Sequence, residues 1–227
     1  MIDLRTAISN VHNDRDWWKK VLLGGTVQLT VFGYPIAEGF IVQSFENISK
    51  GFPSPLPIWN DWLTRFIIGL FAVLIDFVFY LLPLMITGVL FMCISVAMLF
   101  TEQSTMLLTI ITSVLCVYYL AMFLAGVSPI GRAMYAEDGY AEKAISMQPL
   151  RESLRRSVRG LYFQARLRTL LFYIPSLILL VAIWFALQSS LVPLAFVLMW
   201  LFSCSIFYAH LLVAQVYGSV ARETRYM

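Results

Sequence analysis

Residues 66–100 form a run of 35 residues in which Asp76 is the only charged side chain. As one α-helix the run would be ~52 Å long, against a bilayer hydrocarbon core of ~30 Å. It therefore demands either a long kinked helix that projects beyond the bilayer or two short passes turning near Pro83. Three more apolar runs, 105–127, 169–187 and 191–217, have the length of ordinary spans. The last two are separated by Gln188-Ser189-Ser190, an uncharged loop that makes them an antiparallel hairpin. With 60% hydrophobic and 13% charged residues and a mean hydropathy of +0.79, the chain departs from a soluble domain, where roughly 25% would be charged. The fold class is all-α: a polytopic transmembrane helical bundle, with residues 1–227 forming a single integral membrane domain.

Charge is concentrated in one stretch. Residues 129–168 carry eight of the sixteen Lys and Arg residues and only four acids. A basic segment between apolar runs marks the cytoplasmic side of a membrane protein. This local +4 exceeds the +3 of the whole chain, so anionic lipid headgroups, and not nucleic acid, are the expected partner. Within the stretch, 150–168 reads as one amphipathic helix. At 100° per residue Leu150, Leu154, Val158, Leu161 and Ala165 share one arc. Arg151, Arg155, Arg156, Arg159 and Arg166 form the adjoining basic surface. The segment either lies on the membrane or extends the next span into the cytoplasm.

The N-terminal part is less regular. Residues 13–16 suit a helix start, and Trp17 and Trp18 beside Lys19 and Lys20 suit an interfacial anchor. The run 21–43 is interrupted by Gln28, Glu38 and the Gly33-Tyr34-Pro35 break. Pro35 removes a backbone donor and disfavours helix at Tyr34, so a broken or re-entrant membrane segment is expected. Alternate prolines in 51–61 impose extended backbone, after which Asn60 or Asp61 can cap the next helix. Trp59 and Trp62 place that start at an interface. Four full spans preceded by the re-entrant element keep the N-terminus, Lys50, Arg65, the basic stretch and the C-terminus on one side. Six spans, turning at Pro83, also keep the N-terminal lysines there.

Glu38, Asp76 and His210 are the polar residues that could carry chemistry in the membrane. A carboxylate at mid-bilayer costs ~2.5–3.5 kcal/mol, so each acid should be paired, protonated or facing water. Glu38 and Asp76 could form a cation-coupling pair near the breaks at 33–35 and Pro83. Alternatively Glu38 supports the broken helix and Asp76 accepts from a neighbouring Tyr or Ser. His210 has only His12, in the polar N-terminus, as a second histidine, which excludes an intramembrane bis-histidine haem. A hydrogen-bonded core histidine is the expectation. Cys93, Cys116 and Cys204 lie in apolar runs without metal-ligand spacing. No phosphate loop, HExxH or GxSxG motif occurs; neither an enzymatic activity nor a cofactor is implied.

Residues 14–90 resemble a family of prokaryotic integral membrane proteins known as domain of unknown function 4013. The likeness rests on Asp16-Trp17-Trp18-Lys19-Lys20, Leu23-Gly24-Gly25, Gly33-Tyr34, Pro55-Leu56-Pro57-Ile58-Trp59-Asn60-Asp61-Trp62, Gly69-Leu70 and Tyr80-Leu81-Leu82-Pro83. His210 to Tyr217 is similar to the family's ending. Members carry several Arg after Gly-Tyr and an acid before the first Trp; here 38–42 and Ile58 stand in those places. The resemblance implies a multi-pass protein of a prokaryotic cytoplasmic membrane and no activity.

Two functions fit the sequence. One is a non-enzymatic subunit or assembly factor packed against other membrane subunits through small residues such as Gly88, Ser95, Ser113, Ser203 and Ser205. The other is a small transporter or lipid-handling protein built around Glu38 and Asp76 near the broken helices. The topology itself is testable in a cysteine-free background. An impermeant maleimide applied to intact cells should label cysteines at Ser104 and Ser189 and leave one at Ala141 unlabelled; the opposite pattern inverts the assignment.

Overall fold

The computed structural model describes residues 4–52, 56–98 and 104–224. Its centre is α3, Gly33–Ser49, which buries residues around its whole circumference, including Pro35, Glu38, Gly39, Phe40 and Ile41. A helix buried on every side needs neighbours on every side. They are α2 (Trp17–Gln28), α4 (Trp62–Asp76), α7 (Val127–Asp138) and the C-terminal half of α12 (Val192–Thr224). The short helices α1 (Leu4–His12), α8 (Ala141–Ile145), α9 (Gln148–Leu154) and α10 (Arg159–Thr169) close the same end of the molecule. Residue Gly51 lies beside the Arg222 guanidinium, and Trp17 and His12 stack on Tyr208. The end of α12 thus meets the end of α3 and the basic stretch, while the N-terminal helix packs on the middle of α12.

From that end two helical hairpins extend. One pairs α5 (Leu82–Met98) with α6 (Ser104–Ala125); the other pairs α11 (Ile174–Gln188) with the first half of α12. Both expose large apolar side chains around their circumference, from Leu84, Met92 and Val117 to Leu177, Trp184 and Phe196. Among the described residues the two hairpins share no packed interface. Four helical stretches, Trp62–Val96, Met106–Ala125, Arg159–Gln188 and Val192–Thr224, are long and apolar enough to cross a membrane. This is the four-span bundle that the apolar runs predict.

The first span runs through Pro83 without turning back, which removes the six-span alternative. It does so by widening into a π turn, Phe77–Leu81, where the Leu82 amide reaches back to the Phe77 carbonyl. Proline cannot donate to the carbonyl four residues earlier and its ring crowds that turn. The strained carbonyls are recovered from α6. Tyr118 donates its hydroxyl to the Phe79 carbonyl at 3.0 Å, and Tyr119 donates to that of Tyr80 at 2.6 Å.

The N-terminal element is a helical hairpin whose break lies earlier than the sequence suggests. α2 ends at Gln28, residues 29–32 form the tip, and Gly33-Tyr34-Pro35 is the first turn of α3. Proline is tolerated there because the first-turn amide lacks a helical partner anyway. Val31 and Phe32 at the tip are 86% and 78% exposed, as suits a hairpin that dips into lipid and returns.

The single amphipathic helix expected over 150–168 is two helices. The chain leaves helical geometry at Arg155, turns, and restarts at Arg159. The turn lets each half bury a different face: α9 packs on α7, while Val158, Tyr162 and Ala165 enter the core against α12. Leu154, which shares their arc on a helical wheel, is left 62% exposed. Trp59, half-buried, also packs inward. It stacks on Phe40 at 4.3 Å and beneath the buried Arg65 guanidinium, which bonds Gln43 and Asn60 at 3.0 and 3.2 Å. Trp17 packs likewise, whereas Trp18 and Trp62 remain exposed. Asp61 is the N-cap of α4, accepting from the Thr64 amide.

The closest helix approach joins α3 to α4. A Cβ at Gly69 would stand 1.6 Å from the Pro35 carbonyl oxygen, and one at Gly39 2.0 Å from that of Arg65. Ser203 and Ser205 also serve internal contacts, with the Gly25 carbonyl and Ser176. Gly88, by contrast, has open space beside it, and Ser95 and Ser113 bond their own helices. Gly69→Ala should lower stability by about 1–3 kcal/mol or more, through forced separation of two backbones. Gly88→Ala should be neutral or slightly stabilising. Thermal unfolding in mild detergent distinguishes them, and equal melting temperatures for both variants would refute the close crossing.

Candidate functional site

Three of the four elements around α3 deliver a charged or titratable side chain to one point. Gly126, at φ +66°, ends α6 and starts α7 with a turn that few other residues adopt. A side chain there would also meet the Tyr217 hydroxyl at 2.5 Å. The turn folds α7 back beneath α3 and α4. Ser128 and Arg132, one helical turn apart, then face the same way.

Arg132 bridges both membrane acids. Its Nη1 lies 2.6 Å from Glu38 Oε2, and its Nη2 is ion-paired with Asp76. Ser128 donates its hydroxyl to the other Asp76 oxygen. Glu38 is 1% exposed, and His210 Nδ1 stands 3.7 Å from its second oxygen. Glu38, Asp76 and His210, the three polar residues singled out from sequence, therefore meet in one cluster. The predicted acceptance by Asp76 from a serine is present. Glu38 also interacts with the Tyr34 hydroxyl of the break at Gly33-Tyr34-Pro35, beside its ion pair with Arg132.

What sequence reasoning missed is the cation between them. Arg132 counts among the basic residues of the 129–168 stretch, and its charge alone does not distinguish a headgroup-facing arginine from a buried one. The available signal was numerical: two acids in apolar runs require a cation, and Arg132 lies nearest the apolar run that precedes it. Arg166 is a second correction. Expected on the basic surface with Arg151, Arg155, Arg156 and Arg159, it is only 8% exposed, stacked at 3.7 Å on the Phe123 ring. The four others are exposed.

Beside the cluster lies a cavity of about 260 Å³. Asp76, Arg132, Arg166 and His210 line it, with Tyr34 and Tyr173 adding hydroxyl-bearing rings. Tyr80 and Phe123, from the roots of the first hairpin, also line it. Glu38 lies behind Arg132 and does not reach it. Among the described residues no three His, Cys, Asp or Glu side chains are set to hold a metal ion. Chemically the site is a small polar chamber, walled by apolar rings, with guanidinium and imidazole donors directed inward.

The cluster makes a specific stability prediction. Arg132→Gln leaves the buried Glu38 and the part-exposed Asp76 without their shared cation and should cost about 3–5 kcal/mol. Glu38→Gln leaves Arg132 paired with Asp76 and should cost clearly less. Chemical unfolding of the purified variants measures both, and equal losses would mean that Arg132 is not the shared counter-ion.

A family model described as "Protein of unknown function (DUF4013)" matches residues 22–187, which span every element of the cluster except α12. No curated protein and no solved structure matches the chain.

Proposed function

The chain belongs to the DUF4013 family, and we propose that it is a lipid-handling protein of a prokaryotic cytoplasmic membrane, holding an amphiphile at its polar cavity. The observation that carries this reading is the placement of the cavity. It sits at the roots of two hairpins that do not pack on each other and whose surfaces are apolar. A membrane amphiphile can approach such a chamber sideways, keeping its tail in lipid while its head enters. At about 260 Å³ the cavity is smaller than the ~300–1,000 Å³ usual for whole small-molecule ligands, and suits a headgroup.

Cation coupling through Glu38 and Asp76 has less support, because both acids are engaged by Arg132. No catalytic chemistry or cofactor is proposed. The ends carrying the basic stretch and both terminal helices face the cytoplasm in this reading, following the distribution of Lys and Arg.

A subunit role is the second reading, favoured by one feature. Between Met106 and Ala125 only 6% of the most apolar window is buried, so the first hairpin is free to pack against another membrane protein. Crosslinking in native membranes, which would trap such a neighbour on α5 or α6, addresses it.

The lipid reading is tested with a photoactivatable phospholipid in membranes containing the full chain. Label should concentrate on peptides covering 73–84, 119–123 and 166–173. Even labelling along the outer faces of both hairpins, without enrichment at their roots, would contradict it.

A further inference from the structure

The cavity wall carries one cation with no carboxylate partner of its own. Arg132 is consumed by Glu38 and Asp76. Arg166 has no carboxylate within 4.0 Å and no side-chain hydrogen bond among the described residues; its buried Nε is unpartnered. It is 92% buried, taking 8% exposure from the whole, and its guanidinium is part of the cavity wall. The Phe123 ring beneath it offers cation–π attraction but no hydrogen-bond acceptor. A buried guanidinium normally pairs with an anion, because desolvation without one costs several kcal/mol.

The charge sum limits which anion fits. Arg132 and Arg166 together balance Glu38 and Asp76, so the charges of these four side chains sum to zero. One added negative charge can settle on Arg166. A second would sit beside Asp76, which lines the same chamber, and be repelled.

A second compartment adjoins the first. An apolar groove of about 410 Å³ runs beside the π turn, lined by Val73, Phe77, Leu81, Leu84 and Tyr119. Asp76 and Tyr80 line both the groove and the cavity, so the two adjoin across those side chains. A soluble anion has no use for the groove; a molecule with a charged head and a hydrocarbon tail fits the pair.

We propose that the site binds a membrane phospholipid with a phosphodiester head, Arg166 holding the singly charged phosphate and the groove taking the start of an acyl chain. This rests on the lipid-handling reading and adds the ligand's chemical class and its anchoring residue. Arginine suits the role because its planar fork matches two phosphate oxygens.

The test is native mass spectrometry of the delipidated full chain in mild detergent. The probes are phosphatidylglycerol, phosphatidylethanolamine, phosphatidic acid, diacylglycerol and inorganic phosphate, each added separately. Both phosphodiester lipids should bind, with phosphatidic acid and diacylglycerol weaker. Arg166→Gln should reduce phosphatidylglycerol binding about tenfold or more, the loss of a charge-assisted hydrogen bond. Leu84→Trp, at a groove position 49% exposed and so tolerant of bulk, should reduce it independently of Arg166. If diacylglycerol binds as well as phosphatidylglycerol, Arg166→Gln has no effect and Leu84→Trp blocks both, the phosphate assignment is overturned while the amphiphile reading stands. Binding of inorganic phosphate that depends on Arg166 and ignores Leu84→Trp identifies a soluble anion and overturns the phospholipid. If no amphiphile binds and neither variant matters, both the inference and the function beneath it fall.

Discussion

The fold turns on the guanidinium of Arg132. Glu38 and Asp76 stand on adjacent helices that touch backbone to backbone at Gly39 and Gly69, so their carboxylates are brought close whether or not a cation is present. Two like charges there would oppose the crossing that the glycines permit. Arg132, delivered from α7 by the turn at Gly126, converts that repulsion into a three-residue bridge. It also ties α7, and with it the start of the basic stretch, to the α3–α4 pair. The interior of the bundle is therefore organised by electrostatics, with helix packing arranged to make the ion contacts possible. Lipid offers little apolar drive between helices, which gives such a bridge more weight than it would have in a soluble core.

A second consequence concerns where the protein is loose. The buried residues concentrate at one end, around α3 and the latter half of α12, while both hairpins extend with apolar side chains exposed. The π turn marks the border on the first span. It exists because Pro83 cannot complete an ordinary turn, and it is held by two tyrosine hydroxyls from α6. The same irregularity shapes the groove wall through Phe77, Tyr80 and Leu81. A backbone accommodation to proline thus supplies part of the candidate lipid site.

Much of this was legible in the sequence. Apolar run lengths set the four spans; the uncharged Gln188–Ser190 loop set the hairpin; Asp61 before a helical run set the cap. Glu38, Asp76 and His210 stood out because charge and imidazole are costly in apolar runs. The remainder was hidden for physical reasons. A helical wheel assumes that a helix continues, so Leu154 and Val158 appeared to share a face that the turn at Arg155 divides. Basic residues in a loop are assigned to headgroups by default, and Arg132 and Arg166 share that signature with the exposed Arg151 and Arg159. Their burial depends on tertiary neighbours, Asp76 for one and Phe123 for the other, which lie 56 and 43 positions away in sequence. The re-entrant break was displaced because proline was read as a helix interrupter, while at Pro35 it begins one.

The central claim is that an acid pair bridged by Arg132 and an arginine with no carboxylate partner of its own, Arg166, together form a chamber for an amphiphile entering between the hairpins. Imaging the full chain by cryo-electron microscopy in lipid nanodiscs tests it most directly. The account predicts continuous density from the Arg166 guanidinium past Tyr80 and along the groove to Leu84. A chamber holding only isolated solvent peaks, with the hairpins closed against each other across its mouth, would contradict it.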